Sequence, residues 1–327
     1  MHPQLNIHSM KNLFLAAVIL LVYSCKGASK PAKDTSWTES SVALETKTGK
    51  LFGTLCTPKG LTKGPVALII AGSGPTDRDC NSPMMKTDAY KMLAHRLADN
   101  GISTLRYDKR GIAESKAAMT KETVLHFEDL VDDANGWLQM LKADKRFSKV
   151  IVIGHSEGSL IGMLISKNGA DEYISISGIG ESADKVLKIQ LAAQPKSVQD
   201  TAFPIIDSLA AGKLVPNVSQ RYYALFRPSV QPYMISWFKY DPSAEIKKLT
   251  IPVLILQGTN DIQVSVDDAK KLKEANPKAK MILIDSMNHV FKIIKGDRTE
   301  NMNSYSNPSL PIAPELPADI GDFIYQD

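Results

Sequence analysis

Residues 150–158 are Val150-Ile151-Val152-Ile153-Gly154-His155-Ser156-Glu157-Gly158. An apolar run of this kind is typical of a strand buried on both faces of a parallel sheet. The two glycines remove side chains that would clash in a tight turn from strand to helix, which leaves Ser156 projecting at the strand end. Glycine and serine are common, so the motif alone would also fit a surface turn. Its place between a buried strand and a helical pattern at 160–166 predicts a reactive serine.

Strand and helix patterns alternate on both sides of this motif. The other predicted strands are 42–44 and 51–56, which form a hairpin, and then 66–71, 102–107, 173–177, 253–256 and 281–284. The predicted helices are 89–98, 130–141, 160–166, 269–275 and 318–325. A repeated order of strand, crossover helix and strand gives a mostly parallel sheet flanked by helices on both faces. We therefore predict an α/β fold, with reactive groups at the carboxyl ends of the strands.

Residues 181–250 interrupt this alternation with a long helical pattern. A loop of that length without secondary structure would be unusual in a compact domain. We therefore predict a helical cap inserted at 181–250, over the carboxyl edge of a core formed by 41–180 and 251–327.

The first residues have a different pattern from the core. Residues 13–23 are an uninterrupted apolar run. A helix of that length spans roughly 16 Å, about half of a bilayer core, which fits a signal peptide. The run ends in Val22-Tyr23-Ser24-Cys25, which resembles the lipobox of bacterial lipoproteins and implies lipid attachment at Cys25. We predict a signal peptide at 1–24, a tether at 25–40 and an exported bacterial lipoprotein, anchored to a membrane and facing the periplasm or the cell surface. An ordinary secretory signal with an incidental cysteine is the alternative.

The charges and the cysteines give two further predictions, one about nucleic-acid binding and one about disulfides. The chain has 39 Lys and Arg against 35 Asp and Glu, and we see no basic stripe interleaved with aromatic residues. This distribution predicts no nucleic-acid partner. Cys56 and Cys80 are expected to be free thiols, because the strand of Cys56 should run antiparallel to its neighbours and end far from the loop of Cys80.

A serine hydroxyl is too weakly acidic to attack a carbonyl carbon unaided, so it needs a base, and the base needs an orienting acid. His289 follows the last predicted strand, at the edge of the sheet where Ser156 also lies. The other five histidines lie in the leader, in or beside helices, or, in the case of His155, next to the serine with a side chain expected to point away from it. We therefore predict that His289 is the base.

The orienting acid has two candidates. Asp261 follows the predicted strand 253–256, at the same carboxyl edge, and gives the chain order serine, aspartate, histidine. Asp285 is the competitor, because it lies four residues before His289 and could pair with it locally. We favour Asp261.

An oxyanion hole needs two backbone N–H groups, each worth roughly 3 kcal/mol. Glu157 follows the serine and should supply one of them from the start of the helix. Ser73 should supply the other from the glycine-containing loop 72–79, which follows the strand 66–71. A plain glycine turn is the alternative for this loop.

Two further groups of side chains have open roles. Arg110 could bind an acidic substrate, but an ion pair with Asp77 or Asp79 that ties loops together is favoured. The aromatic residues of the predicted cap fit an acyl pocket and internal cap packing equally well; they are Tyr222, Tyr223, Phe226, Tyr233, Trp237 and Phe238.

With these residues assembled, the chain from about residue 42 onward resembles the α/β-hydrolase superfamily, and within it bacterial carboxylesterases related to serine-aminopeptidase-like hydrolases and acyl-CoA thioesterase/bile-acid acyltransferase domains. The segments that carry the resemblance are 72–79, 108–111, 154–158, 257–261 and 288–289. The resemblance implies an α/β-hydrolase fold and ester hydrolysis without a cofactor or a metal. Ala71, where the family often has histidine, and Cys80, where glycine is more usual, depart from the pattern without removing a catalytic group.

The function expected from the sequence is hydrolysis of small acyl esters through an acyl-enzyme, with the ester substrate and the membrane as partners and no obligate protein partner. An aminopeptidase or a thioesterase could use the same triad, and a non-catalytic surface lipoprotein is the alternative from another class. An aminopeptidase would need acidic cap residues near the substrate amine, and the cap acids Glu181, Asp184, Asp200 and Asp207 form no obvious cluster. A coenzyme A thioester is not expected outside the cytoplasm, and an intact triad disfavours a non-catalytic role.

Overall fold

The computed structural model describes residues 35–326. The predicted signal peptide 1–24, the lipid site Cys25 and the tether up to residue 34 lie outside these residues. The first strand begins at Trp37, within the segment 25–40 that was predicted as the tether. The Trp37 ring stacks on His95 at 3.8 Å, an aromatic contact between strand and helix that the alternation pattern did not reveal. Within the described part, no helix has the length and apolar character needed to cross a membrane.

Ten strands are present among the described residues. They are β1 (Trp37–Thr46), β2 (Gly49–Pro58), β3 (Gly64–Ile70), β4 (Asn81–Ser82), β5 (Met85–Lys86), β6 (Ser103–Tyr107), β7 (Phe147–His155), β8 (Glu172–Ile176), β9 (Val253–Gly258) and β10 (Lys280–Ile284). Strands β4 and β5 form a separate hairpin, and the other eight form one sheet in the order β1-β2-β6-β3-β7-β8-β9-β10. All neighbours from β6 to β10 are parallel, whereas β2 is antiparallel to both β1 and β6.

Helices cover both faces of this sheet. They are α1 (Ala89–Asp99), α2 (Phe127–Ala143), α3 (Glu157–Ser166), α4 (Ala183–Leu191), α5 (Lys196–Ala210), α6 (Tyr223–Phe226), α7 (Gln231–Trp237), α8 (Pro242–Ile246), α9 (Val266–Ala275), α10 (Arg298–Ser304) and α11 (Glu315–Tyr325). Residues of α1 and α11 share one apolar cluster with the sheet, and residues of α2, α3 and α9 share another. The prediction of a mostly parallel sheet flanked by helices is therefore confirmed.

Apolar burial explains why the central strands form. Residues 66–70 of β3 and 150–153 of β7 lie side by side and are at most 4% exposed. Helix α2 places Leu130, Ala134, Trp137, Leu138 and Leu141 on one buried face, with the spacing of an amphipathic helix. Because the middle of the sheet is filled by apolar side chains, polar groups collect at the ends of the strands.

Residues 181–250 contain helices α4 to α8 and short 3-10 turns between β8 and β9. Their apolar residues form a cluster of their own, which includes Ile206, Leu209 and Phe226. Elsewhere, Cys56 and Cys80 are both buried free thiols, as expected.

Candidate active site

Ser156 occupies a strained turn between β7 and α3, with φ 56° and ψ −120°. A non-glycine residue with positive φ is costly and persists only where the surrounding structure enforces it. A Cβ atom on Gly158 would lie 2.6 Å from the carbonyl oxygen of Ala71, and one on Gly154 would lie 2.6 Å from Ser159 Cα. Both glycines are therefore needed for the turn to close, and the closed turn holds Ser156 at the carboxyl edge of the sheet.

His289 and Asp261 form a buried pair at the same edge. The distance from His289 Nδ1 to Asp261 Oδ2 is 2.8 Å, and the Asp261 side chain is 0% exposed. Burial alone would raise the pKa of Asp261, but His289 and the backbone N–H groups of Val264 and Gln263 lower it overall. The competing acid Asp285 contacts Thr259 and Ser286 instead.

This pairing fixes the tautomer of His289. A carboxylate only accepts hydrogen bonds, so Nδ1 carries the proton and Nε2 is left with a lone pair. Among the described residues no hydrogen bond joins Ser156 Oγ to His289, and such bonds in unliganded enzymes often form or tighten only when substrate binds. The ring of His155, the residue before Ser156, lies 4.5 Å from the ring of His289.

A second buried network connects His155 to two loops of the site. Burial lowers the pKa of His155 well below 6.5, so the ring is neutral. Its Nε2 lies 3.0 Å from the carbonyl oxygen of His289 and must therefore donate, while Nδ1 accepts from the hydroxyl of Tyr90 at 2.7 Å. The Tyr90 oxygen in turn accepts from the N–H of Gly72 at 3.1 Å. A directed chain of hydrogen bonds thus joins the 72–79 loop to the His289 loop, a link that sequence reasoning missed.

The backbone N–H groups of Ser73 and Glu157 are available to an oxyanion. Both residues line one cavity together with Ser156. Neither N–H donates to a protein acceptor in the described part of the chain. Glu157 is the first residue of α3, where backbone N–H groups have no partner within the helix and its dipole favours negative charge.

Lys109 lies beneath the 72–79 loop and is another residue that sequence reasoning passed over. Its Nζ donates to the carbonyl oxygens of Gly72 and Gly74, the latter at 2.8 Å. Burial lowers its pKa, and the nearby Glu157 carboxyl opposes that shift. Its only signal in the sequence was its place in segment 108–111, directly after a strand.

The cavity over Ser156 has a volume of about 600 Å³, within the usual size range of small-molecule sites. Its apolar lining includes Leu125, Leu130, Ile179, Val186, Met234 and Trp237. The carboxylates in its wall have partners: Arg227 donates from Nε and Nη2 to Glu122, and Tyr233 donates to Glu157. Burial raises the pKa of Glu157, against the lowering effects of Lys109 and Tyr233.

Arg110 and the cap aromatic residues each had two possible roles, and Arg110 lines the cavity as well as forming an ion pair. Arg110 makes a structural ion pair, but with Asp133, at 2.6 and 2.7 Å, and not with Asp77 or Asp79. Helix α2 supplies this partner, and Asp79 is instead bonded to Arg106. Among the cap aromatics, Tyr233 and Trp237 line the cavity, whereas Tyr222, Phe226 and Phe238 pack in the cap cluster.

Glu39, Cys56 and His95 are a group with metal-ligand chemistry, and their ligand atoms lie within 4.8 Å of one another. However, Glu39 is bonded to both His95 at 2.7 Å and Arg106 at 2.8 Å. Burial raises the pKa of the Cys56 thiol to about 12, so it stays protonated. A guanidinium and a protonated thiol favour a structural ion-pair cluster over a cation site.

Comparison with known proteins agrees with this geometry. Residues 84–216, which include Ser156, match a family model described as serine aminopeptidase, S33. Esterase EstD of Thermotoga maritima is 30% identical over 258 residues, which are 76% of this chain and 60% of that protein. The chain thus spans about 60% of the length of that curated relative.

Solved structures of esterases share the fold. Est1E from Butyrivibrio proteoclasticus has a TM-score of 0.56 at 16% identity, covering 88% of this chain and 99% of that one. Esterase Pf2001 of Pyrococcus furiosus has a TM-score of 0.56 at 17% identity, covering 91% of this chain and 94% of that one. The chain therefore has the same fold as these esterases.

Proposed function

We propose that the protein is a serine hydrolase that cleaves carboxylic esters of small acyl substrates through an acyl-enzyme intermediate. The observation that carries this proposal is the strained Ser156, held with φ 56° at a cavity that Ser73 and Glu157 also line. This backbone conformation is energetically unfavourable for serine. It is typical of nucleophiles displayed at a strand-to-helix turn.

In the first half of the reaction, Ser156 Oγ bonds to the ester carbonyl carbon while its proton moves to His289 Nε2. Asp261 stabilises the resulting imidazolium through the Nδ1–H bond of 2.8 Å. The carbonyl oxygen becomes an oxyanion that accepts from the N–H groups of Ser73 and Glu157. The C–O bond to the alcohol then breaks, and His289 Nε2 returns the proton to the leaving alkoxide.

In the second half, water replaces the alcohol. The oxygen of the water bonds to the acyl carbon while one of the water protons moves to His289 Nε2. The bond from Ser156 Oγ breaks, the serine recovers its proton from His289, and the carboxylic acid leaves. Every proton is carried by the His289 ring, so the cycle needs no cofactor.

The cavity favours esters over peptides with a free amine. An amine would need an unpaired carboxylate, and the carboxylates in the cavity wall, Glu122 and Glu157, already have partners. Of the four cap acids, Glu181, Asp200 and Asp207 form ion pairs with lysines, and neither these three nor Asp184 line the cavity. Peptide cleavage is the second candidate because residues 84–216 match the serine aminopeptidase model.

The proposal is tested with the purified full-length protein on p-nitrophenyl butyrate, a butyryl thioester and an aminoacyl p-nitroanilide. We expect the ester to be turned over fastest. Ser156→Ala should lower kcat by about 10⁴-fold or more, whereas replacing the exposed Ser309 by alanine should leave it unchanged. Retained turnover in the Ser156 variant, or faster cleavage of the anilide, would contradict the proposal.

We also propose that the protein is a lipoprotein held at the membrane through Cys25. The support is the sequence alone, an apolar run at 13–23 followed by Val22-Tyr23-Ser24-Cys25. Cys25→Ala should move the protein from the membrane fraction to the soluble fraction of cells, while Cys56→Ala should not. A Cys25 variant that stays with membranes would overturn this localisation.

A further inference from the structure

The loops that carry Ser73 and Lys109 meet because their strands are neighbours. Strands β3 and β6 pair in parallel, so both end at the carboxyl edge of the sheet. Gly72 follows the end of β3, and Lys109 follows the end of β6. Lys109 is 6% exposed and directs its ammonium group into the 72–79 loop, where it bonds the carbonyl oxygens of Gly72 and Gly74.

These two carbonyls flank Ser73. The carbonyl of Gly72 and the N–H of Ser73 belong to the same peptide unit, which is planar and trans. The two groups therefore point in opposite directions, and fixing the carbonyl on Lys109 fixes the direction of the N–H away from Lys109. The second bond, to the Gly74 carbonyl at 2.8 Å, anchors the peptide between Gly74 and Pro75, so the loop is held on both sides of Ser73.

If Lys109 served only to stabilise the fold, burying its ammonium group would be an unfavourable way to do so. Moving an ammonium group out of water carries a penalty that carbonyl partners offset only partly. The one carboxyl that influences Lys109 from the facing elements is Glu157, at the start of α3. The same residue supplies the other candidate N–H of the oxyanion hole, so Lys109 contacts or influences both halves of it.

We infer that Lys109 is a positioning residue, which orients the Ser73 N–H toward the oxyanion of the tetrahedral intermediate. The inference rests on the proposed ester hydrolysis at Ser156. Lys109 itself does not bond the reacting atoms; it acts through the peptide between Gly72 and Ser73. An N–H oriented in this way stabilises the tetrahedral oxyanion more than the planar ester. Lys109 should therefore affect the transition state more than substrate binding.

The test is Lys109→Met, which keeps most of the side-chain volume and removes both hydrogen bonds. With p-nitrophenyl butyrate we expect kcat to fall about tenfold to a hundredfold, less than the loss of a whole oxyanion donor, with little change in KM. An alkyl trifluoromethyl ketone, which forms a tetrahedral adduct with the serine, should bind more weakly by a similar factor. The methyl ketone of the same chain length, which resembles the planar ester, should bind as to the wild type.

Lys273→Met is the matched control. Lys273 also donates to two backbone carbonyls, those of Pro277 and Ala279, at 2.8 and 2.6 Å, but it lies at the end of α9. This variant should keep the wild-type kcat and affinity for the trifluoromethyl ketone. If Lys109→Met fails to fold, Lys109→Gln, which retains two N–H donors, should give the same pattern with smaller losses.

The outcomes separate this inference from the proposed function. If the wild type shows no ester hydrolysis that depends on Ser156, the proposed function fails and the inference with it. If the wild type is active but a folded Lys109 variant keeps its kcat and its trifluoromethyl ketone affinity, the inference alone fails. Equal weakening of both ketones would also overturn it, because that result describes a general distortion of the cavity.

Discussion

At the scale of single residues, Asp261 determines what His289 can do. Its carboxylate holds the proton on Nδ1 and leaves the lone pair on Nε2, the atom that we propose as the base. The backbone N–H groups of Gln263 and Val264, at 2.8 and 3.0 Å, fix the carboxylate in turn. In the proposed mechanism, the base therefore depends on an acid that does not line the cavity.

Asp261→Asn tests this dependence. An amide can donate to Nδ1 and stabilise the wrong tautomer, so kcat for p-nitrophenyl butyrate should fall by about 10³- to 10⁴-fold, with KM nearly unchanged. The matched control is Asp285→Asn, the rival carboxylate four residues before His289, which should keep near wild-type kcat. The reverse ranking of the two variants would show that the orienting acid has been assigned wrongly.

The sequence predicted that Ser156, Asp261 and His289 lie at one edge of the sheet, but it did not predict the hydrogen bonds of the residues around them, for a physical reason. Ser156, Asp261 and His289 each follow a buried apolar strand, and the carboxyl ends of parallel strands share one edge. Lys109 and Tyr90 bond backbone groups of other loops, and no periodicity in the sequence records such contacts. Arg110 shows the same limit: its charge predicted an ion pair, but the partner Asp133 depended on how α2 packs.

At the scale of elements, the turn between β7 and α3 depends on close backbone contact with β3. Gly158 lies against the carbonyl oxygens at the end of β3, and a Cβ there would lie 2.6 Å from the oxygen of Ala71. Real Cβ atoms do not approach a backbone oxygen so closely, so a side chain would push α3 away from the sheet. The same shift would move Ser156 and the N–H of Glu157 together.

Gly158→Ala should therefore lower the free energy of unfolding by roughly 3 kcal/mol or more, as forced overpacking against backbone does, and should abolish ester hydrolysis. Gly321→Ala is the control, because Gly321 lies in α11 with nothing within 4 Å of the added Cβ. That change should be neutral or stabilise the fold by up to about 1 kcal/mol. Urea unfolding measures both; a wild-type midpoint for Gly158→Ala would contradict the predicted clash.

Strands were predicted best where they are buried on both faces and therefore consist of a long run of apolar residues. The central strands β3 and β7 follow such runs. The predicted strand 42–44 is only part of β1, Trp37–Thr46. Residues 38–41 are all exposed, so no alternating apolar pattern marks the first half of this strand. In the cap, α5 continues through Pro204, a residue that sequence patterns normally place outside helices.

At the scale of the whole molecule, one buried histidine links pH to stability. The pKa of His155 lies well below 6.5 in the folded protein, and near 6.5 in the unfolded chain. As the pH falls below about 6.5, the unfolded chain binds a proton that the folded state does not, so the free energy of unfolding decreases. The contribution is present above that pH and is lost as the pH falls toward the folded pKa.

His155→Gln should therefore reduce the slope of unfolding free energy against pH between pH 7.5 and 5.5, by up to about 1.4 kcal/mol per pH unit below pH 6.5. Urea unfolding at several pH values measures the slope. His126→Gln replaces an exposed histidine beside α2 and should keep the wild-type slope. A slope that is the same with and without His155 would mean that the ring is not held neutral in the fold.

The central claim is that distant parts of the chain converge to activate one serine. The most direct measurement is reaction of the protein with a fluorophosphonate, followed by mass spectrometry of its peptides. We predict one phosphonyl group per chain, located on Ser156, absent in Ser156→Ala and formed much more slowly in His289→Ala. Labelling of another residue, or unchanged labelling of Ser156 without His289, would contradict the account.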